Sequence, residues 1–266
     1  MESLGIIAGN GKFPFILAQA ARERGDRVIA VGHKGHTEAE LEKYVDQFHL
    51  VEVGQLGRII EIFKQARVSQ VVMGGSLAKN TMYSQAKPDS RGLQAMAKLK
   101  NRKDDVILRA VAEELEKEGM RVVESTFCLS SLLAPVGCLT GRQPDDREME
   151  DIRFGWEVAK EVGRLDIGQS VVVKDKAVLA VEAIEGTDAT IRRGTALSGP
   201  GAVVVKVSKP NQDIRFDLPV VGLDTVAVLA EGQASALAIE AQRTIVFDKE
   251  KAIQAANRAG IAILSL

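Results

Sequence analysis

Asp213, Arg215 and Asp217 alternate by two in the segment KPNQDIRFDLP. In an extended chain that spacing puts all three side chains on one face. A carboxylate, a guanidinium and a second carboxylate on one face suit phosphate chemistry. They equally suit an ion-pair ladder on an exposed edge strand, with which Pro219 is compatible. A second group lies upstream, in VLAVEAIEGTDATIRR over residues 178–193. There an apolar run whose one charge is Glu182 leads into Glu185, Gly186, Thr187 and Asp188. The pattern predicts a buried strand, a tight turn and a helix, with Thr187 or Asp188 as the N-cap. Glu185 and Asp188 then stand at the carboxyl end of a strand, where α/β proteins place ligands. A helix N-terminus favours anions, and a carboxylate pair can hold a divalent cation that in turn holds phosphate. The alternative is that Asp188 only caps the helix and Glu185 is solvated. Lys206 and Lys209, in the next strand and the turn after it, are cations that can neutralise developing negative charge.

Two glycine turns in the first half have the makings of an anion cradle. Gly9, Asn10 and Gly11 follow an apolar strand, residues 4–9, and precede an amphipathic helix over residues 15–24. Gly74, Gly75 and Ser76 end a strand over residues 70–73. Glycines let backbone N–H groups approach a phosphate closely. Lys12 is followed by Phe13, so this is no Walker loop, and the spacing is not GxGxxG. A nucleotide cradle and a plain tight turn both remain open. Asp104 and Asp105 precede a helix over residues 106–119; Asp104 reads as its N-cap, and such a pair is also a common metal or ribose ligand. His33 and His36 follow a strand over residues 27–32. With no third ligand in view they read as a surface loop.

These groups must be positioned by alternating strands and helices, the pattern of an α/β fold with a largely parallel sheet. Proline, glycine and polar residues cluster over residues 130–147 and mark a domain boundary. The division expected is 1–133 and 134–266. Asp146 is the expected cap of a helix over residues 147–162. The second half adds a hairpin turning at residues 174–176. It also adds a strand over residues 202–207, a strand region over 236–247 and a closing helix and strand.

The chain has 266 residues, 45% of them hydrophobic and 27% charged, enough to bury a core. A net charge of −1 and 4% aromatics argue against a nucleic-acid platform. The two cysteines, Cys128 and Cys138, form no CxxC motif, which fits a reducing cytoplasm. No apolar run reaches membrane-spanning length.

Several segments together resemble one family. GIIAGNGKFP, KDDVILRAV, GRLDIGQS, VEAIEGTDATIRR and KPNQDIRFDLPVVG look like the LpxI-type UDP-2,3-diacylglucosamine pyrophosphatases, in the same order over nearly the whole chain. The resemblance implies hydrolysis of UDP-2,3-diacylglucosamine to UMP and 2,3-diacylglucosamine 1-phosphate (lipid X), in lipid A biosynthesis. It implies a divalent metal, usually magnesium. It also implies a Rossmann-like N-terminal unit for the uridine diphosphate end, a C-terminal mixed α/β domain for lipid X, and a homodimer. The essential aspartate of the family's R-x-D-[LV]-P segment falls on Asp217. Asp217, Arg215 and Asp188 are therefore the expected catalytic residues, and Asp217, Asp188 and Asp104 the expected metal ligands. Gly9, Asn10, Gly11, Gly74, Gly75, Ser76, Glu185, Gly186, Thr187, Lys206 and Lys209 are the expected substrate contacts. A cytoplasmic protein touching the inner face of the inner membrane peripherally would meet a lipid substrate. Two other classes remain as alternatives: a nicotinamide-dependent oxidoreductase built on the first glycine turn, and a non-enzymatic module that binds a nucleotide sugar.

Overall fold

The computed structural model describes residues 3–77, 86–99, 104–124, 126–210, 213, 215–216 and 218–266, with the side chains of Asp104 and Asp105 outside that description. Two compact units emerge, Met1–Ser130 with Asp213–Asp217, and Ser131–Gln212 with Leu218–Leu266.

In the first unit, strands β1 (Ser3–Ala8), β2 (Arg27–His33), β3 (Gln47–Val51), β4 (Gln70–Gly74) and β5 (Arg121–Val122) pair in parallel in the order β3-β2-β1-β4-β5. Chain order reverses between β1 and β4, and such a switch point opens a crevice at the strands' carboxyl ends. Helices α1 (Phe13–Glu23), α2 (Leu56–Gln65), α3 (Ser90–Ala97) and α4 (Asp104–Glu116) complete the described unit. The inner strands β1, β2 and β4 are near-continuous apolar runs because a parallel sheet is covered on both faces. Helix α2 buries Leu56, Ile59, Ile60 and Phe63 at helical spacing. Phe63 is fully buried, and truncating a side chain of this kind to alanine costs roughly 3–5 kcal/mol. Helix α3 starts at Ser90, earlier than its apolar spacing indicates, because Asp89 caps it through the Gly92 amide at 2.8 Å. Asp104 is the first residue of α4 and not its cap.

The second unit is built on a six-stranded mixed sheet, order β6-β13-β11-β9-β7-β8. Its strands are β6 (Gly137–Cys138), β7 (Ser170–Lys174), β8 (Ala177–Val181), β9 (Val203–Lys206), β11 (Ala236–Ile239) and β13 (Ala262–Ser265). A small parallel pair joins β10 (Val220–Val221) to β12 (Ile245–Val246). The strand region expected over residues 236–247 is thus two strands in different sheets. Helix α5 (Asp146–Arg164) packs Ile152 and Ala159 on one face of the large sheet. Helices α6 (Thr187–Ser198), α7 (Leu223–Glu231) and α8 (Lys249–Ala259) pack Ile191, Leu229 and Ala256 on the other. The cap of α5 is Asp145, not Asp146: Asp145 and Glu148 form a reciprocal capping box. Strand β8 was expected to be buried. It lies at the edge of the sheet, and Ala177 and Val178 are exposed.

Candidate functional site

The carboxyl edge of the second sheet carries a polar chain. Ser170, Lys206, Ile239 and Ser265 form one row across it through the pairings of β7, β9, β11 and β13. Lys206 is 6% exposed; its Nζ donates to Thr187 Oγ1 at 3.0 Å and to the Val220 carbonyl at 2.8 Å. Thr187 Oγ1 in turn donates to Glu182 Oε1 at 2.9 Å, and Glu182 Oε2 accepts from the Gln169 amide at 3.3 Å. A buried carboxylate, hydroxyl and ammonium are thereby joined in series, which satisfies charges that burial would otherwise penalise. Beside it, Lys160 Nζ donates to Glu240 Oε2 at 2.6 Å and to the Ser208 carbonyl at 3.0 Å. The Ser208 amide donates to the same Glu240 oxygen at 2.8 Å.

These contacts explain why neither Thr187 nor Asp188 caps α6. The Thr187 hydroxyl is engaged by Glu182 and Lys206, and the cap position falls to Gly186, whose φ of +83° suits glycine. Asp188 sits in the first turn of α6, exposed, where a carboxylate complements the helix dipole. Glu185 braces the turn. Arg193 Nη2 donates to Glu185 Oε1 at 2.6 Å and to the Val181 carbonyl at 2.9 Å. Its own backbone N–H, then Arg193, holds the Glu185 carboxyl below the usual range. Lys209 Nζ donates to Asp166 Oδ1 at 2.8 Å.

In the first unit the two glycine loops are zipped together. The Gly9 amide donates to the Gly74 carbonyl at 2.7 Å, and Asn10 and Ser76 exchange backbone bonds at 2.7 and 3.1 Å. A Cβ on Gly9 would lie 2.6 Å from the Ser76 carbonyl oxygen, and one on Gly75 would lie 2.7 Å from that of Asn10. These glycines let two loops touch. Gly11 differs: at φ +92° it has open space around its Cα, and its amide donates to Asn10 Oδ1.

Asp213 and Arg215 do not lie on a strand face. Arg215 and Phe216 lie in a turn closed by the Phe216 amide donating to the Asp213 carbonyl at 3.0 Å. Arg215 grips Asp213 with Nε at 3.0 Å and Nη2 at 2.9 Å, while Nη1 donates to Glu116 Oε1 at 3.1 Å. The Arg215 guanidinium beside Asp213 holds that carboxyl below the usual range. Phe216 packs against the first unit's core. Asp217 and the side chain of Asp104 lie outside the described residues.

Next to this turn is a cavity of about 420 Å³ within the first unit, lined by the carboxyl ends of β1 and β4, by α2 to α4 and by Phe216. Ile7, Leu56, Met73, Leu108 and Val111 are among its walls, and none of the lining side chains among the described residues is a lysine, arginine, aspartate or glutamate. His33 also lines it. It is 5% exposed and ends β2, so it is no surface-loop residue. Burial, with His36 adding to it, pushes its pKa down to about 4. Among the described residues its Nδ1 finds no hydrogen-bond partner.

Sequence reasoning singled out Thr187, Lys206 and Glu185, which the fold does gather around one turn. It passed over Glu182, Gln169, Lys160 and Glu240 as partners. The signal for Glu182 was a charge standing inside an apolar run, VLAVEA. Among the described residues no group of three or more His, Cys, Asp and Glu side chains is placed to hold a metal ion.

A family model described as the LpxI N-terminal domain matches residues 3–132, and one described as the LpxI C-terminal domain matches residues 135–264. The UDP-2,3-diacylglucosamine pyrophosphatase LpxI of Caulobacter vibrioides is 34% identical, covering 100% of this chain and 98% of that protein. Solved structures overlap only distantly. The biotin carboxylase domain of a thermophilic 2-oxoglutarate carboxylase, bound to ADP, is 13% identical with a TM-score of 0.30, over 65% of this chain and 35% of that one. The biotin carboxylase subunit of a pyruvate carboxylase is 13% identical with a TM-score of 0.29, over 68% and 36%. The chain spans about a third of the length of those two structures, and likeness at that level carries nothing about fold or ligand.

Proposed function

The chain belongs to the LpxI family, and from that premise we propose that it hydrolyses the pyrophosphate bond of UDP-2,3-diacylglucosamine. Water enters, and UMP and 2,3-diacylglucosamine 1-phosphate leave, a step of lipid A biosynthesis. One observation carries the reading: 34% identity to the Caulobacter vibrioides enzyme along essentially the whole of both chains.

A pyrophosphate diester resists water chiefly through its own negative charge, so the protein must supply positive charge and a positioned nucleophile. Asp217 is the residue we assign to the attacking water, as its base or through a bound cation. The residue before it, Phe216, is anchored in the first unit's core, and Arg215 is held by the Asp213 fork. Both contacts hold the chain just before Asp217, which supports a positioned role for that residue. In the second unit the Glu182–Thr187–Lys206 chain orders the turn that opens α6, whose N-terminus favours a phosphate.

The residues expected to hold a metal, Asp217, Asp188 and Asp104, are all carboxylates. That is the donor type of a hard cation such as magnesium, which keeps several waters and takes phosphate oxygens as its other ligands. When bound, such a cation would withdraw charge from the pyrophosphate oxygens. No described helix is long and apolar enough to cross a membrane. A peripheral contact with the inner membrane and a homodimer complete the proposal.

The test is to incubate the purified chain with UDP-2,3-diacylglucosamine, with and without magnesium, and to follow UMP release. Release by the wild type that disappears in Asp217→Ala supports the reaction and the residue together. A folded wild type that releases nothing at saturating substrate overturns the reading.

A further inference from the structure

We propose that the second unit docks on a lipid bilayer through Leu165, Ile167 and Ile184, three aliphatic side chains on two loops beside the first turn of α6. The inference rests on the proposed reaction for its partner, since that substrate is a lipid, and on these exposed side chains for its place.

The sheet brings the two loops together. Residues 165–168 lead into β7, and residues 182–186 lead out of its antiparallel neighbour β8. The Glu182 amide donates to the Ser170 carbonyl at 2.9 Å, and the Gln169 amide donates to Glu182 Oε2 at 3.3 Å. A Cβ on Gly168 would collide with the Glu182 carbonyl, so the glycine lets the loops touch. Ile167 and Ile184 therefore stand at the same open end of the hairpin. Leu165 is 56% exposed, Ile167 49% and Ile184 92%. One exposed aliphatic residue is ordinary, but three on touching loops form a patch, and such patches mark interaction sites.

Composition and charge select the partner. Protein hot spots favour tryptophan and tyrosine and are poor in leucine. Residues 163–169 and 183–186 contain no aromatic residue, and their large apolar side chains are leucine and isoleucine alone. Such side chains leave no polar atom unpaired when they enter hydrocarbon. Cations stand beside them. Arg164, Lys209 and Arg193 pair with Glu161, Asp166 and Glu185. Surface pairs of this kind contribute little, so each cation can turn to a lipid phosphate while its aliphatic stem lies along the apolar surface.

The placement also serves the proposed chemistry. Ile184 directly precedes Glu185 and Gly186, the cap of α6. With the loop tips among the acyl chains, the amides of that helix N-terminus lie close to the headgroup layer, where the pyrophosphate of a membrane-held substrate is found. The contact is reversible, because even a single fatty anchor, with more hydrocarbon than three side chains, binds a bilayer only marginally.

Flotation of the purified chain with vesicles of phosphatidylethanolamine and phosphatidylglycerol tests the surface. The wild type should float, and Ile184→Ser should lower its partition coefficient by about tenfold, with Ile167→Ser adding a similar factor. Ile184 is almost wholly exposed, so its replacement leaves the fold intact. A wild type that stays in the soluble fraction overturns the proposal, and so does an Ile167→Ser, Ile184→Ser double variant that floats as well as the wild type. Depth is read separately from affinity. Ile184→Trp should be quenched by lipids brominated in their acyl chains, whereas the wild type, whose one tryptophan is Trp156, should not. Equal quenching of the two proteins, or none in either, overturns it. A double variant that turns from dimer to monomer in solution and still floats would make the patch a face between copies, and also overturns it. Activity separates the surface from the reaction. UMP release from substrate held in the same vesicles should fall in the double variant in step with its partition, and release from a water-soluble short-chain analogue should not change. Flotation through these residues with no UMP release from either substrate refutes the proposed reaction and leaves the surface standing.

Discussion

Lys206 Nζ donates to Thr187 Oγ1 at 3.0 Å, tying the carboxyl end of β9 to the first residue of α6. The hydroxyl passes the link on to Glu182, so one small side chain satisfies both a buried ammonium and a buried carboxylate. Thr187→Val keeps the shape and removes the hydroxyl. It leaves both charges short of a partner, at a cost of roughly 1–3 kcal/mol. Thermal unfolding should shift down by several degrees, and UMP release should fall by about ten- to a hundredfold as the turn loses its register. Thr187→Ser should recover most of both. A valine variant as stable and active as the wild type would mean that the link does not order the turn.

Asp213 is the next point of leverage. Its carboxylate takes both Nε and Nη2 of Arg215, and Arg109 Nε lies 3.4 Å from Asp213 Oδ2. Asp213→Asn keeps the size but loses the charge that holds the fork, worth about 1–2 kcal/mol in a charge-assisted pair. The Arg215–Phe216 turn should loosen, and on the role proposed for the neighbouring Asp217 kcat should drop more than KM rises. If KM alone changed, Asp213 would be contributing to substrate binding and not to the placement of Asp217, the residue proposed to act on the attacking water. Steady-state UMP release against substrate concentration separates the two.

Much of this fold is legible from apolar spacing. The strands and helices of the first unit follow from continuous apolar runs and from the Leu56, Ile59, Ile60, Phe63 stripe. The hairpin between β7 and β8 follows from Lys174, Asp175 and Lys176, of which Asp175 and Lys176 have positive φ. What spacing misreads are places where a side chain serves a distant partner. The alternation of Asp213 and Arg215 looks like a strand but is a local ion pair that closes a turn. The Thr187 hydroxyl looks like a cap but answers to Lys206, nineteen positions on. Histidine in a polar stretch looks exposed, yet β2 continues through His33 because Thr37 Oγ1 accepts from the His33 amide and donates to the Ala8 carbonyl. Such pairings are set by topology, which local periodicity does not carry.

His33 makes acid stability a direct reading of the cavity. Its pKa in the folded chain is lowered from 6.5 to about 4, so the unfolded chain binds the extra proton first. Stability from this residue is complete above pH 6.5 and is lost as pH falls through about 4. The shift corresponds to about 3 kcal/mol. Glu114 acts lower: its pKa falls from 4.5 to about 2, first through the Lys117 hydrogen bond and then through Arg91. Its contribution is present above pH 4.5 and disappears towards pH 2. Melting temperature against pH should therefore decline from about 6.5 downward in the wild type. That limb should flatten in His33→Phe, and the decline below 4.5 should remain. A His33→Phe profile that matches the wild type across the upper window would show that His33 is not held neutral by burial.

The two glycine loops separate contact from strain. At Gly9 a methyl group would press on the Ser76 carbonyl at 2.6 Å, a backbone atom that cannot swing aside. Gly9→Ala must therefore part the loops and break the Asn10–Ser76 bonds, and a loss of roughly 1–3 kcal/mol is expected. At Gly11 a methyl group meets nothing within 4 Å, and the cost is only that of φ +92° for a residue with a Cβ, about 1–2 kcal/mol. Stability alone need not distinguish them, but activity should. Gly9→Ala shifts the wall of the cavity, since Gly9 and Ser76 both line it, so UMP release should fall with stability. Gly11 is absent from that lining. Gly11→Ala should lose a similar amount of stability yet keep most of its turnover. Equal loss of turnover in both variants would mean that the open space at Gly11, and not the cavity wall, meets the substrate.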